Sequence, residues 1–202
     1  MNSNLDPETQ LSLIVKIRDA GDEDAWSEFV QIYQPVVQRF VRRHSLQYAD
    51  AVEITQEVLS RVAKSIESWD ANHQKSTFRG WLYRITRNIT IDFLRKKKIE
   101  RQRMASSDAG LSQVADMGNN DQSQEFEREF EKQVFYWAAE KLKPSFKPAN
   151  WQAFWMSTID GVPVIDVAKQ LQMTPGNVYV ARSRIMSRLS ELVQARMAET
   201  QS

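Results

Sequence analysis

The chain has 202 residues, 42% of them hydrophobic and 26% charged, with no cysteine; this excludes wholly disordered and collagen-like chains, and also disulfides and thiolate metal sites. No apolar run approaches the roughly 20 residues that cross a bilayer, and the polar start with Asp6 and Glu8 lacks a signal-peptide pattern, so a cytoplasmic protein without membrane insertion or cofactor is expected. The net charge of +1 conceals two blocks: nine Lys/Arg against two acids from Arg79 to Arg103, then seven acids against Arg128 alone from Met104 to Glu131. Such a distribution points to a polyanion-binding face beside an acidic connector.

Helical periodicity dominates the chain from the start. Trp26, Phe29, Val30, Tyr33, Val37, Phe40 and Val41 recur at spacings of three and four, the stripe of an amphipathic helix. Asp22 is its expected N-cap, and Pro35 inside it should kink or divide it. A second stripe runs through Ile54, Val58, Val62 and Ile66. The polar stretch from Asp70 to Ser76 reads as a loop. A third helix is predicted from Phe78, Leu82, Ile85, Ile89 and Phe93. From Ala105 to about Gln124 Ser, Gly and Asn accumulate and the pattern fails, which predicts a flexible linker. It resumes near Phe126 and runs through Phe130, Val134, Trp137 and Leu142. Pro144 and Pro148 interrupt it, and Trp151, Phe154, Trp155 and Ile159 begin a second, aromatic-rich core.

Between Pro163 and Leu189 the apolar positions Val167, Ala168, Leu171, Met173, Val178 and Ala181 have the spacing of a helix-turn-helix corner. Thr174-Pro175-Gly176 is the expected turn, with Thr174 or Asn177 capping the second helix. Gln172 departs from the pattern, standing at a turn position where Gly is usual. The second helix presents Asn177, Tyr179, Val180, Arg182, Ser183, Arg184 and Arg188, residue types that hydrogen-bond base edges or phosphates in a major groove. An ordinary helical hairpin with a solvated basic face would share the spacing.

On the third helix Arg84, Arg87, Asn88, Ile91 and Arg95 share the face opposite the apolar stripe, and Lys96, Lys97 and Lys98 extend it. Only Asp92 breaks the run of one sign, whereas a merely solvated face usually mixes signs. On the second helix Asp50, Glu53 and Glu57 share a face with Gln56 beside them. A divalent-metal site would need further ligands, and the chain has no phosphate loop or Ser/His pair near them. A docking surface for a basic partner fits better.

Three runs together, Ala51 to Leu59, Ser76 to Asn88 and Asp92 to Arg95, resemble the core of bacterial sigma factors of the extracytoplasmic-function type. The corner with Gly176, Val178, Arg184 and Leu189 resembles their second DNA-binding domain. The segment from Thr174 to Arg184 is most similar to Planctomycete-type members, although many other members carry Ser-Arg where this chain has Val180-Ala181. The resemblance implies an all-α fold of two small helical domains: a region 2 bundle over 1–100, a flexible acidic linker over 101–124, and a region 4 helix-turn-helix over 125–202, with no further domain after it. It implies that Asp50, Glu53, Gln56 and Glu57 dock on the clamp helices of the largest subunit of core RNA polymerase, the second-largest subunit being a further partner. Asp70, Asn72, His73 and Lys75 of the loop would capture a −10 base, with Arg84, Arg87, Asn88 and Arg95 holding the opened strand. Thr174, Asn177, Tyr179, Arg182, Ser183, Arg184 and Arg188 would read the −35 element of promoter DNA. An anti-sigma protein is the candidate regulator. The function expected is transcription initiation, without catalysis; the alternatives are a polymerase-independent helix-turn-helix regulator and, more remotely, a metal-dependent nuclease.

Overall fold

Helices account for nearly all of what the computed structural model describes, residues 13–19, 21–44, 46–69, 77–104 and 120–199, and no strand occurs among these residues. The chain divides into two compact units, residues 1–133 with 199–202, and residues 134–198.

The first unit is built on α2 (Glu23–Arg42), α3 (Tyr48–Ser65) and α4 (Phe78–Met104), with the short α1 (Leu13–Lys16) against them. Asp22 caps α2 as expected, its carboxylate accepting the Ala25 N–H at 2.9 Å. Phe29, Ile32, Tyr33, Val36, Val37, Phe40 and Val41 of α2 are buried with Ala51, Ile54, Val58 and Val62 of α3. The buried seam of α4 is Phe78, Leu82, Thr86, Ile89 and Thr90. The two threonines can lie there because each hydroxyl donates to the carbonyl one turn back, Leu82 O at 2.9 Å and Thr86 O at 2.7 Å. Ile85 and Phe93, expected in the seam, are only half-buried. Leu13, Ile14 and Ile17 add an apolar patch that the polar N-terminal composition hides.

Pro35 neither ends nor divides α2, which runs unbroken from Glu23 to Arg42. A proline removes the N–H that would bond the carbonyl of Gln31 four residues earlier. Here the side-chain amide of Gln133 donates to that same carbonyl at 3.1 Å, while its own oxygen accepts from Arg39 at 2.8 Å. The missing backbone bond is thus replaced from another helix.

That other helix is α5 (Asn120–Leu142), and it revises the expected domain boundaries. The proposed connector over 101–124 is helical at both ends, α4 reaching Met104 and α5 starting at Asn120; residues 105–119 lie outside the described residues. Residues 125–133 were expected in the second domain but belong to the first unit. Phe126 and Phe130, one turn apart, are fully buried. Phe130 stacks on Tyr33 with ring centroids 5.2 Å apart, and Phe126 meets Phe40 edge-on at 5.5 Å. The acids between and just before them are paired: Glu129 with Arg39 at 2.8 Å and Arg43 at 2.7 Å, Glu127 with Arg79 at 2.7 Å, and Glu125 with Arg43. The Arg79 guanidinium, itself buried, lies 4.8 Å from the Phe130 ring centroid.

The second unit contains the end of α5, a 3₁₀ turn (Lys143–Ser145), α6 (Pro148–Thr158), α7 (Val164–Gln170) and α8 (Pro175–Glu199). Ala153, Val167, Ala168 and Val178 form its core, with Met156, Val162, Val164, Leu171 and Met173 packed around them. Trp151 and Phe154 are buried as expected, but Ile159 is exposed at the C-cap of α6. Gly161 follows with φ +71°, a left-handed conformation that glycine adopts without strain. Trp137 is covered by two cations, Lys141 and Arg196, each 4.7 Å from its ring. Among the described residues no helix is long and apolar enough to cross a membrane.

Candidate nucleic-acid interface

The corner between α7 and α8 has the expected apolar skeleton with a different turn. The reversal lies at Leu171 to Met173, where Gln172 adopts φ +54°, and not at Thr174-Pro175-Gly176. Pro175 and Gly176 are instead the first turn of α8. Pro is suited to that place because its missing N–H would have had no helical partner. The Thr174 hydroxyl accepts the Asn177 N–H at 3.2 Å, so Thr174 is the cap and Asn177 is the residue capped.

Beyond this cap Val178, Ala181, Ile185 and Leu189 are buried, and Asn177, Tyr179, Arg182, Ser183, Arg184 and Arg188 are all exposed. Arg188 makes a surface ion pair with Glu191 at 3.6 Å. Thr174 is exposed as well, so all seven residues expected to face DNA face solvent on one short corner. Ala181 is a core residue.

In the first unit α3 and α4 present faces of opposite sign. Glu53, Gln56 and Glu57 are exposed. Asp50 is not part of that open surface: it accepts the Gln47 N–H at 3.2 Å and is paired with Lys97 of α4. It ties the start of α3 to α4 and thereby positions the acidic face. On α4 Arg84, Asn88 and Arg95 are exposed and Arg87 is half-buried. Arg87 lies near Tyr83, whose hydroxyl is pushed above its usual pKa by burial while the arginine's charge partly opposes the rise. Arg95 reaches Asp92 at 3.6 Å across the surface.

Two members of the basic block are used within the fold. Arg79 is buried against Glu127 and Phe130, and Lys97 holds Asp50. Composition could not separate these two cations from the solvent-facing ones. Asp70, Asn72, His73 and Lys75, expected to line a base-capturing loop, lie outside the described residues.

Residues 29–99 match the family model described as Sigma-70 region 2. That segment contains most of α2, all of α3 and the basic face of α4. Over 78 residues the chain is 41% identical to the extracytoplasmic-function RNA polymerase sigma factor SigW of Bacillus subtilis, covering 39% of this chain and 40% of SigW. It is 39% identical over 80 residues to SigE of Mycolicibacterium smegmatis, covering 38% and 30%. It is 30% identical over 98 residues to RpoE of Cereibacter sphaeroides, covering 48% and 53%. The chain thus spans about half or less of the length of these relatives. Among solved structures, CnrH in complex with the cytosolic domain of CnrY matches over 91% of this chain and 96% of that one, at 17% identity and TM-score 0.37. The sigma factor RpoE in complex with the anti-sigma factor NepR from Bartonella quintana matches over 84% and 96%, at 19% and 0.33. Over residues 29–99 and the segments aligned here, the chain is thus similar to region 2 of the sigma-70 family and to extracytoplasmic-function sigma factors.

Proposed function

We propose that the chain is a sigma factor that binds core RNA polymerase and directs promoter recognition and DNA opening, acting in the cytoplasm by binding and not by catalysis. One observation carries the reading. The segment that matches region 2 is the one in which α3 exposes an acidic face and α4 a basic one. In this reading Glu53, Gln56 and Glu57, positioned by Asp50, dock on the clamp helices of the polymerase's largest subunit, and the second-largest subunit is a further contact. Arg84, Arg87, Asn88 and Arg95 hold the opened −10 strand, and the loop with Asp70, Asn72, His73 and Lys75 receives a base turned out of the stack. Flipping costs a few kcal/mol and requires such a receiving pocket. The exposed corner from Thr174 to Arg188 reads the −35 element. An anti-sigma protein is the expected regulatory partner, and the resemblance of the segment from Thr174 to Arg184 supports a place in the Planctomycete-like subgroup.

The test is transcription in vitro with purified core polymerase on genomic fragments. Discrete starts should appear only when the chain is added, and charge reversal of Glu53 and Glu57 together should abolish co-purification with the core enzyme while the fold is kept. Unchanged co-purification would remove the docking assignment. Equally tight operator binding with and without polymerase would favour a helix-turn-helix regulator.

A further inference from the structure

The exposed face of α8 has an apolar residue at its centre. Val178, Ala181, Ile185 and Leu189 are its buried seam, and Val178 packs with Ala153, Val167 and Ala168. Val180 follows Val178 by two residues, which places it about 200° further round the helix, on the side away from the seam. It is 47% exposed, beside Tyr179 at 57%. Arg184 and Arg188, about 40° and 80° round the helix from it, are exposed, and Arg182, about 160° away, is exposed near the edge of the seam.

A single exposed valine is ordinary on a protein surface. The position of this one is not neutral, because it lies on the face opposite the seam, and Arg184 and Arg188 beside it would draw a phosphate backbone to one edge of that face while Val180 turns to the floor of the groove. Valine has no hydrogen-bond donor or acceptor. Set against a polar base edge it would leave that edge dehydrated and unpaired, which is costly. The apolar group that the major-groove floor offers is the 5-methyl of thymine.

We propose that Val180 is a specificity-determining residue that contacts the 5-methyl group of a thymine in the upstream promoter element. This rests on the reading of the second unit as the −35 binder.

The experiment uses polymerase holoenzyme carrying the full chain and a promoter duplex whose start has been mapped. Each thymine of the upstream element is replaced singly by deoxyuridine, which lacks only the methyl group. The wild type should lose affinity about fourfold at one position, the effect of leaving one methyl-sized group unburied. Val180→Ala should bind the unmodified duplex correspondingly less well and be indifferent to that replacement. Alanine is the better helix former at an exposed site, so the variant folds. Indifference of the wild type to every replacement, or equal sensitivity in the wild type and Val180→Ala, overturns the assignment of Val180. Arg184→Ala separates the two levels of the argument. If it weakens binding while deoxyuridine has no effect, only the Val180 assignment fails; if it too is without effect, α8 does not enter the groove and the reading of the second unit fails with it.

Discussion

Phe130→Ala tests whether the first half of α5 belongs to the first unit. The side chain is fully buried, stacks on Tyr33 at 5.2 Å and carries the Arg79 guanidinium 4.8 Å above its ring. Truncating a buried Phe to Ala costs about 3–5 kcal/mol through lost transfer energy and the cavity left behind. The stacked pair contributes about 0.5–1.5 kcal/mol beyond area, and the buried Arg79 loses the ring that covers it. A loss of about 4 kcal/mol is therefore expected, a large part of the roughly 5–15 kcal/mol that holds a domain folded. With a urea slope of about 2 kcal/mol per molar, the midpoint of the first unit should fall by about 2 M. Hydrogen exchange read by mass spectrometry assigns the loss to segments: protection should fall across α2 and α4 and be retained in α6, α7 and the start of α8. The opposite pattern, with α2 and α4 unaffected and the second unit destabilised, would refute the placement of residues 120–133. A loss below about 1 kcal/mol would refute the packing argument itself.

Three further outcomes follow from particular contacts. Gln133→Ala should cost about 1 kcal/mol, since the Gln31 carbonyl and Arg39 both lose a partner, and far less on a Pro35→Ala background, where the restored backbone N–H can serve Gln31; a double-mutant cycle in urea measures the coupling. Burial pushes the Glu129 carboxyl up, but the Arg39 hydrogen bond and the charges of Lys132, Arg39 and Arg43 outweigh it and hold its pKa below the ordinary 4.5. The folded value is thus the lower one, so its contribution is present above pH 4.5 and is lost as pH falls through the folded value; Glu129→Gln should flatten the acid limb of the stability profile in that range. Gln172→Gly should stabilise the second unit by about 1 kcal/mol, because a non-glycine residue at φ +54° carries left-handed strain; a Gly variant with unchanged or lower thermal stability would contradict that.

What could be read in the sequence followed from periodicity. Apolar spacing alone determines Phe29, Tyr33, Val37, Phe40 and Val41 of α2, the stripe of α3, and Val167, Ala168, Val178 and Ala181 of the corner, which are buried as expected, whereas Trp26, Val30, Leu171 and Met173 are only half-buried. The sequence reading failed where a residue's meaning depends on a partner distant in the chain. Pro35 reads as a break until Gln133 is seen to serve the carbonyl it frees. Thr86 and Thr90 join the buried seam, outside the apolar stripe, because their hydroxyls are satisfied within α4. Asp50 shares a helix face with Glu53 and Glu57, yet it faces Lys97. The turn at Gln172 was misplaced because Thr-Pro-Gly is a strong turn signal that here begins a helix.

The acidic block is where local reading and tertiary structure diverge most, and it bears on function. Seven acids against one arginine between Met104 and Glu131 resemble a solvated connector. Glu125, Glu127 and Glu129 are instead paired with Arg39, Arg43 and Arg79. Those cations, on α2, at its C-cap and at the start of α4, are therefore neutralised from within the unit. Arg79 also precedes Arg84 and Asn88 by five and nine residues, which puts it about 140–180° round α4 from them at 3.6 residues per turn. The acids of α5 thus compensate one side of the bundle, while Arg84, Asn88 and Arg95 are exposed on the other side of α4. A near-zero net charge is then compatible with a directional field, because opposite charges concentrated on different faces do not cancel locally. Glu127→Gln should accordingly lower the stability of the first unit while leaving the salt dependence of −10 strand binding unchanged, since that slope counts phosphate contacts. A changed slope would mean that the α5 acids and the strand share cations, and the two sides of α4 would not be separate.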